Sequence, residues 1–555
     1  MQQLLSVNDT LWMWAVPSVW VVTAIVLTGI LRAPQILLLR DGFRSALVHD
    51  PRAPGTMPPG TAVLLGAAMT HGSAAAVSAA TAVSLGGAGA LAWLWLFGLL
   101  IAPLRYAETW LARTAPPGQP GAIARGSLAS RFIHDSSRIV RGTGIALAVL
   151  VPLAGFAYVG GVHGEAAMDA AERLLPGSAQ SIGVGVAAIA AILVLPALAK
   201  PAPAASVMLG WLALGAVLTV FGVALIAISF DMSRGVGALF VSIEDAFSGA
   251  PNVGSFSGAL AGEIAGVAML HGLLPLASSL GVDGALHAAA RAPLARGQAA
   301  ASMLGPFLHV ILATTLGLSF IATGAFHRRV EDVRRLDEVT FWESGFETVS
   351  QRREAERAFT GTLRVLDGEA RARPLELGTE RGMITAPRFI HADGSPGDFA
   401  IRVDHSRITA YLVPEENGTL TQVPLSRISE IRVEGRMLPR AGTLLAASMV
   451  RAGGEAASRI VLTALLFLAA IGAAGWGVAI SRSMPEQIGR IVAFVPALGL
   501  LLAATGSAPW LGPIGRLMAG VLAIVAMLGI LMKTRELLVF ASSKTIQSRV
   551  ERDPV

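Results

Sequence analysis

Residues 60–108 read GTAVLLGAAMTHGSAAAVSAATAVSLGGAGALAWLWLFGLLIAPLRYAE, and this stretch decides the fold. Its first half is apolar yet crowded with Gly, Ala, Ser and Thr, and His71-Gly72-Ser73 interrupts it near the middle. Small residues let helices approach closely within a bilayer. They also mark places where a membrane helix breaks so that its backbone can meet a ligand.

The rest of the chain fits that reading. Of 555 residues, 53% are hydrophobic and 14% charged, a balance that no water-soluble single core carries. Apolar runs of about 20 residues, the length that crosses a bilayer, recur along most of the chain. They fall at about 11–31, 62–83, 86–104, 142–161, 179–199, 204–229, 256–282, 300–324, 458–480, 488–504 and 514–532. The expected class is an all-α polytopic membrane protein of about eleven transmembrane helices, seated in a lipid bilayer. The first run lacks a basic segment before it, so it is expected as a retained span, not a cleaved signal.

Charge sets the orientation. Arg32, Arg40, Arg44 and Arg52 follow the first run, and Arg105, Arg113, Arg125, Arg131, Arg138 and Arg141 follow the third. Lys200, Arg291, Arg296, Arg482 and Arg490 lie in later loops of that side, and the C-terminal tail adds five more cations. The opposite loops hold little besides Arg173 and Arg234. Such a bias places the N-terminus outside and the C-terminus in the cytoplasm of a cell (inner or plasma) membrane. It also accounts for the net charge of +6 without nucleic acid as a partner. With no cysteine, disulfides, thiolate metal sites and Cys nucleophiles are excluded.

Residues 326–441 differ from the rest: the segment is long, polar and charged. Residues 327–359 read as charge-rich and helical. Runs 362–366, 399–403, 408–413 and 428–433 alternate as short strands, separated by turn signals at Asp393-Gly394 and Asn417-Gly418. The expected division is 1–325 (spans one to eight), 326–441 (a small β-rich, α+β external insert), 442–534 (spans nine to eleven) and 535–555 (cytoplasmic tail). The insert carries no metal cluster, phosphate loop or nucleophile elbow. It reads as a cap or an interaction module for an external protein partner.

From residue 60 onward the sequence resembles the alanine/glycine:cation symporters, also called sodium:alanine symporters. They belong to the amino acid–polyamine–organocation superfamily. Leu85-Gly86-Gly87-Ala88-Gly89-Ala90 with Trp93 and Trp95 is similar to the family's LGGPGA…WMW, and Arg105-Tyr106-Ala107-Glu108 to its KFAE. Gly258-Ala259 opens the seventh run, His287-Ala288-Ala289-Ala290 with Arg296-Gly297 is similar to HAAA…RQG, and Gly475-Trp476 to LGW. The resemblance implies a leucine-transporter-type inverted repeat with two broken helices, the second and the seventh. It also implies a small amino acid substrate such as alanine or glycine, moved by alternating access. Half-helix N–H groups would hold the substrate carboxylate and freed carbonyls a cation.

The substrate site is therefore expected at Thr70, Gly72, Ser73 and Ala74 of the first break and at Gly272 of the second. Three departures bear on cation chemistry. Where the family reads TVGTGNIAG, this chain has Ala74-Ala75; where it reads GLFSNEAGLG, residues 272–281 lack its Ser, Asn and Glu; and Ile471-Gly472 replaces a Ser-Thr pair. Sodium needs several hard oxygen ligands, and the side chains of Ala75, Leu276, Ile471 and Gly472 supply none. Four ionisable residues in the apolar runs, His71, Glu263, His271 and His309, stand as proton- or ion-coupling candidates, because charge at membrane depth is costly to keep. The bland reading is polar packing, with each histidine bonded to a freed carbonyl.

Glu108 and Arg105 read as snorkelling or loop-pairing residues at the end of the third run, and Asp283 and His287 as a local pair or cap. Trp93, Trp95, Trp110 and Trp510 read as interfacial anchors. With no catalytic constellation and no cofactor expected, the sequence points to a secondary symporter whose coupling cation is Na+ or H+. The competing reading is a transporter-derived sensor or scaffold that has lost turnover and binds through its insert. Leu273, Leu274, Leu276 and Ile471 plugging the centre would favour the latter.

Overall fold

A computed structural model describes residues 7–8, 10–48, 50–53, 55–70, 72–114, 126–198, 203–229, 232–247, 274–325, 330–343, 359–371, 375–379, 382–415, 419–437, 441–508 and 510–542. The helices that build the apolar body are α1 (Val16–Ile30), α2 (Pro59–Thr70), α3 (Gly72–Gly86), α4 (Ala90–Arg113), α5 (Arg138–Tyr158), α6 (Gly164–Leu174), α7 (Ala179–Leu198) and α8 (Pro203–Ser229). After them come α9 (Met232–Phe247), α10 (Asp283–Ala288), α11 (Ala295–Ser302), α12 (Leu304–Ala322), α13 (Ala441–Ser483), α14 (Glu486–Val492), α15 (Val495–Ala504) and α16 (Leu511–Met532).

Among the described residues, seven helical stretches are long and apolar enough to cross a membrane, or eight if α2 and α3 count as one broken span. They are Ala90–Arg113, Arg138–Leu174, Ser206–Ser229, Ala295–Ala322, Gly453–Ser483, Glu486–Ala504 and Leu511–Met532. Val16–Ile30 and Ala179–Leu195 are apolar but shorter, and the expected run 256–282 falls almost wholly outside the described residues.

Two span boundaries move. The third span runs on to Arg113, so Arg105 and Glu108 lie inside it and not at its end. The fourth runs past residue 161 through a π-helical turn, Val159–His163, into α6. The Gly160-Gly161 pair there suggests a loop, but it serves packing. A Cβ on Gly160 would lie 2.7 Å from the Gly499 carbonyl oxygen, and one on Gly515 would lie 2.4 Å from that of Ala157. Backbone-to-backbone contact of α5 with α15 and α16 thus requires glycine, the small-residue packing of bilayer helices. The tryptophans differ from expectation too. Trp93 and Trp110 are buried, and Trp95 Nε1 donates to Thr314 Oγ1 at 2.7 Å.

α13 is the hub, packing against α2, α3, α6, α7 and α8. It is interrupted at Gly454, whose φ of 72° favours glycine.

Among its described residues the insert has ten strands: β1 (Val330–Arg335), β2 (Thr340–Glu343), β3 (Gly361–Leu366), β4 (Glu369–Ala370), β5 (Leu375–Thr379), β6 (Gly382–His391), β7 (Phe399–Asp404), β8 (Arg407–Pro414), β9 (Leu420–Val423) and β10 (Ile431–Met437). Two five-stranded sheets, β1-β10-β6-β5-β2 and β4-β3-β7-β8-β9, feed one apolar core that includes Phe341, Phe389, Phe399, Tyr411 and Val433. In β10 buried and exposed residues alternate, the period-2 signature of a strand with one wet face.

Residues 330–343 are therefore strands and a 3-10 turn, not helix. The charges that suggested a helix belong to an edge strand, where charge discourages further pairing. The expected strand at 428–433 begins as a 3-10 turn, Leu425–Glu430, before β10. First and last strands pair antiparallel, Val330 opposite Met437, so the chain enters and leaves the insert side by side.

Candidate functional site

The opening stretch bends by 45° between α2 and α3. Such a bend opens the helical ladder, and its last carbonyls take partners from elsewhere. The Met69 carbonyl accepts Trp476 Nε1–H from α13 at 3.0 Å and the His163 Nε2–H at 3.2 Å. The Thr70 carbonyl accepts the Tyr158 hydroxyl at 3.3 Å. On the far side of the bend, the Ser73 hydroxyl lies 2.8 Å from His163 Nδ1. With Nε2 donating to a carbonyl, Nδ1 accepts from Ser73, which fixes one neutral tautomer of His163.

His163 thus bonds both halves of the broken helix. The rings of Tyr158, His163 and Trp476 form one aromatic cluster, with Tyr158 5.5 Å from His163 and 5.9 Å from Trp476. Tyr158 also meets the Ser278 side chain, which follows the second expected break. The short helix Leu274–Ser278 packs against both α2 and α3.

Thr70, Gly72, Ser73 and Ala74 are all buried at this bend. Their hydroxyls are engaged: Thr70 Oγ1 bonds the Gly66 carbonyl at 2.7 Å, and Ser73 bonds His163. His71, Glu263, His271 and Gly272 lie outside the described residues. His309 is fully buried in α12, which packs on α3. Leu274, Leu276 and Ile471 are buried as well, while Leu273 lies outside the described residues.

His163 is absent from the sequence candidates because the fourth run was closed at residue 161. The π-helical turn that carries it is a rare element often found at functional sites. Gly472 is there for the same centre: a Cβ on it would lie 2.9 Å from both the Ala68 carbonyl oxygen and His163 Cε1.

A second centre is a buried charge network between α4 and the chain around α10. Arg105 Nη1 lies 3.2 Å from Glu108 Oε2 and 3.9 Å from Asp283 Oδ2. Arg105 Nη2 donates to the Leu276 carbonyl at 3.1 Å and to the Ser279 hydroxyl. Glu108 Oε1 accepts the N–H groups of Gly281 and Gly284, each at 3.0 Å. His287 Nε2 lies 3.5 Å from Asp283, and its Nδ1 lies 2.7 Å from Gln298 Nε2.

Neither Arg105 nor Glu108 snorkels: both are about 1% exposed. Asp283 and His287 do pair locally, and they also close the network. Arg113 completes it by donating to the carbonyls of His287, Ala290 and Ala292 at 2.9 Å each. Burying charge is tolerable only when the charges are paired and hydrogen-bonded, as most groups of this network are. The network locks the segment that follows the second expected break onto α4.

The model of the sodium:alanine symporter family matches residues 1–349, which takes in the first eight expected spans and the start of the insert. An uncharacterized transporter of Haemophilus influenzae is 27% identical over 338 residues, covering 59% of this chain and 71% of its own.

Proposed function

The chain belongs to the sodium:alanine symporter family and is a membrane transport protein, not an enzyme; from that premise we propose that it is a secondary carrier of a small amino acid such as alanine or glycine. The observation that carries the proposal is the bend between α2 and α3, with the Met69 and Thr70 carbonyls turned to partners from α5, α13 and the π-helical turn. A substrate carboxylate would meet the N–H groups of Gly72, Ser73 and Ala74 at the start of α3, where the helix dipole favours an anion. Gly272 would supply the matching backbone from the seventh run. The small residues around the bend suit a small substrate such as the family's name suggests.

Seven long helices, the broken pair, the two shorter apolar helices and the run 256–282 support an eleven-span inverted-repeat carrier. In that arrangement the N-terminus is external, the tail 535–555 cytoplasmic, and the insert 326–441 an external domain open to a protein partner. Alternating access would move the bent helix and the segment after residue 274 against the remaining spans. The Arg105–Glu108–Asp283 network would hold one side closed until it parts.

The test is counterflow of labelled alanine or glycine in proteoliposomes holding the full chain. Saturable exchange across the membrane supports the carrier. Amino acid bound with no exchange would replace it by the sensor reading.

A further inference from the structure

The family's name implies sodium, and the described residues at the bend do not fit that ion. A hard cation takes several oxygen ligands. A backbone carbonyl offers two lone pairs. Both of Met69's are engaged by N–H donors, Trp476 Nε1 and His163 Nε2, and Thr70's carbonyl is engaged by Tyr158. The Ala68 carbonyl abuts Gly472, leaving less than a methyl group's space. The Ser73 hydroxyl is spent on His163 Nδ1. At the positions where the family carries oxygen-bearing side chains, this chain has Ala75, Leu276, Ile471 and Gly472, which carry none.

Resting on the carrier reading, we infer that Trp476, His163 and Tyr158 are built-in hydrogen-bond donors that stand where a coupling metal cation would otherwise bind, so that substrate binding needs no sodium. A donor supplied by the protein stabilises the freed carbonyls of the bend as a cation would. It is always present, and so it confers no dependence on external salt.

Each donor comes from a different place. His163 comes from the π-helical turn, Tyr158 from the end of α5, and Trp476 from α13, and the three rings brace one another. The π-helical turn gives His163 its reach. One added residue in the turn shifts the register of the helix, so that the imidazole faces the bend.

The experiment measures binding of ²²Na+ and of labelled alanine and glycine to the purified full chain in lipid nanodiscs, with choline holding ionic strength constant. Wild type, His163→Ala and Trp476→Phe are compared, the last keeping the aromatic volume if the first fails to fold. The expected result is no saturable ²²Na+ binding to wild type, its appearance in at least one variant, and wild-type amino acid affinity unchanged within twofold when choline replaces sodium.

Saturable ²²Na+ binding to wild type overturns the inference, as does a tenfold or greater gain in amino acid affinity with sodium. So does sodium binding by none of the three proteins, which would leave the donors without the assigned role. If no protein binds either amino acid, but ²²Na+ binds only to a variant, the inference stands and the choice of substrate fails.

Discussion

His163 and Ser73, ninety positions apart in the chain, meet at 2.8 Å, and the same imidazole reaches the Met69 carbonyl at 3.2 Å. One side chain therefore ties the two halves of a bent helix to each other. Gly472 keeps the space for it. Gly472→Ala would push a methyl to 2.9 Å from His163 Cε1 and the Ala68 oxygen. Overpacking of this kind costs ~1–3 kcal/mol. A lowered melting temperature in detergent, together with impaired amino acid binding, is expected. Wild-type stability and binding would show that the contact is slack.

The charge network responds asymmetrically. Arg105→Met leaves Glu108 and Asp283 buried beside each other without their shared cation. Removing one partner of a buried pair costs about 3–5 kcal/mol. Glu108→Gln keeps an oxygen for the N–H groups of Gly281 and Gly284 and should cost less. The double variant should be more stable than the sum of the single losses implies, because the residues share one network. Thermal melts of all four proteins, wild type included, check this. Strict additivity would mean that the pairs act independently.

Outside the spans, Asp135 bonds Lys533 and the Ser137 N–H, with Arg131 nearby. Burial alone would raise its carboxyl, but the Lys533 and Ser137 hydrogen bonds and the two cations outweigh it and hold the carboxyl below its ordinary value. A carboxyl depressed in the folded state contributes stability that is full above its unfolded pKa. That stability is lost as pH falls through the lowered folded value. The contact between residue 135 and the end of α16 should therefore persist at neutral pH and weaken in acid. Melting temperatures of wild type and Asp135→Asn should converge as pH drops below the ordinary aspartate range. A gap that stays constant with pH would exclude this contribution.

The insert should be separable. Val330 and Met437 are register partners, so the two ends of the insert lie only about 5 Å apart. Its core of phenylalanines, Tyr411 and aliphatic residues is its own cluster, distinct from the helical one. Replacing residues 330–437 by a short Gly/Ser linker should leave a chain that inserts in membranes and elutes as one species in detergent. Aggregation of the shortened chain would show that the helices need the insert to fold.

Hydrophobic run length is a local property, and it located the described apolar helices, although the third and fourth run past their expected ends to Arg113 and Leu174. The bend was legible as well, because His71-Gly72-Ser73 sits in a field of small residues. His163 was not. Glycines at 160 and 161 look like a helix end, and only their contacts with Gly499 and Leu511 show that they continue it. The Arg105–Asp283 relation is long-range, so the sequence offered Arg105 and Glu108 only as a loop-side pair. The charged edge strand β1 looked helical because composition does not report which face is wet.

The most direct measurement is uptake of labelled alanine and glycine into sealed proteoliposomes, with sodium and pH gradients imposed separately. The expected result is saturable uptake that survives complete replacement of sodium and falls when Ser73 or Gly72 is replaced by a bulky residue. No uptake under either gradient, or uptake indifferent to both replacements, would contradict a carrier whose substrate site lies at the bend.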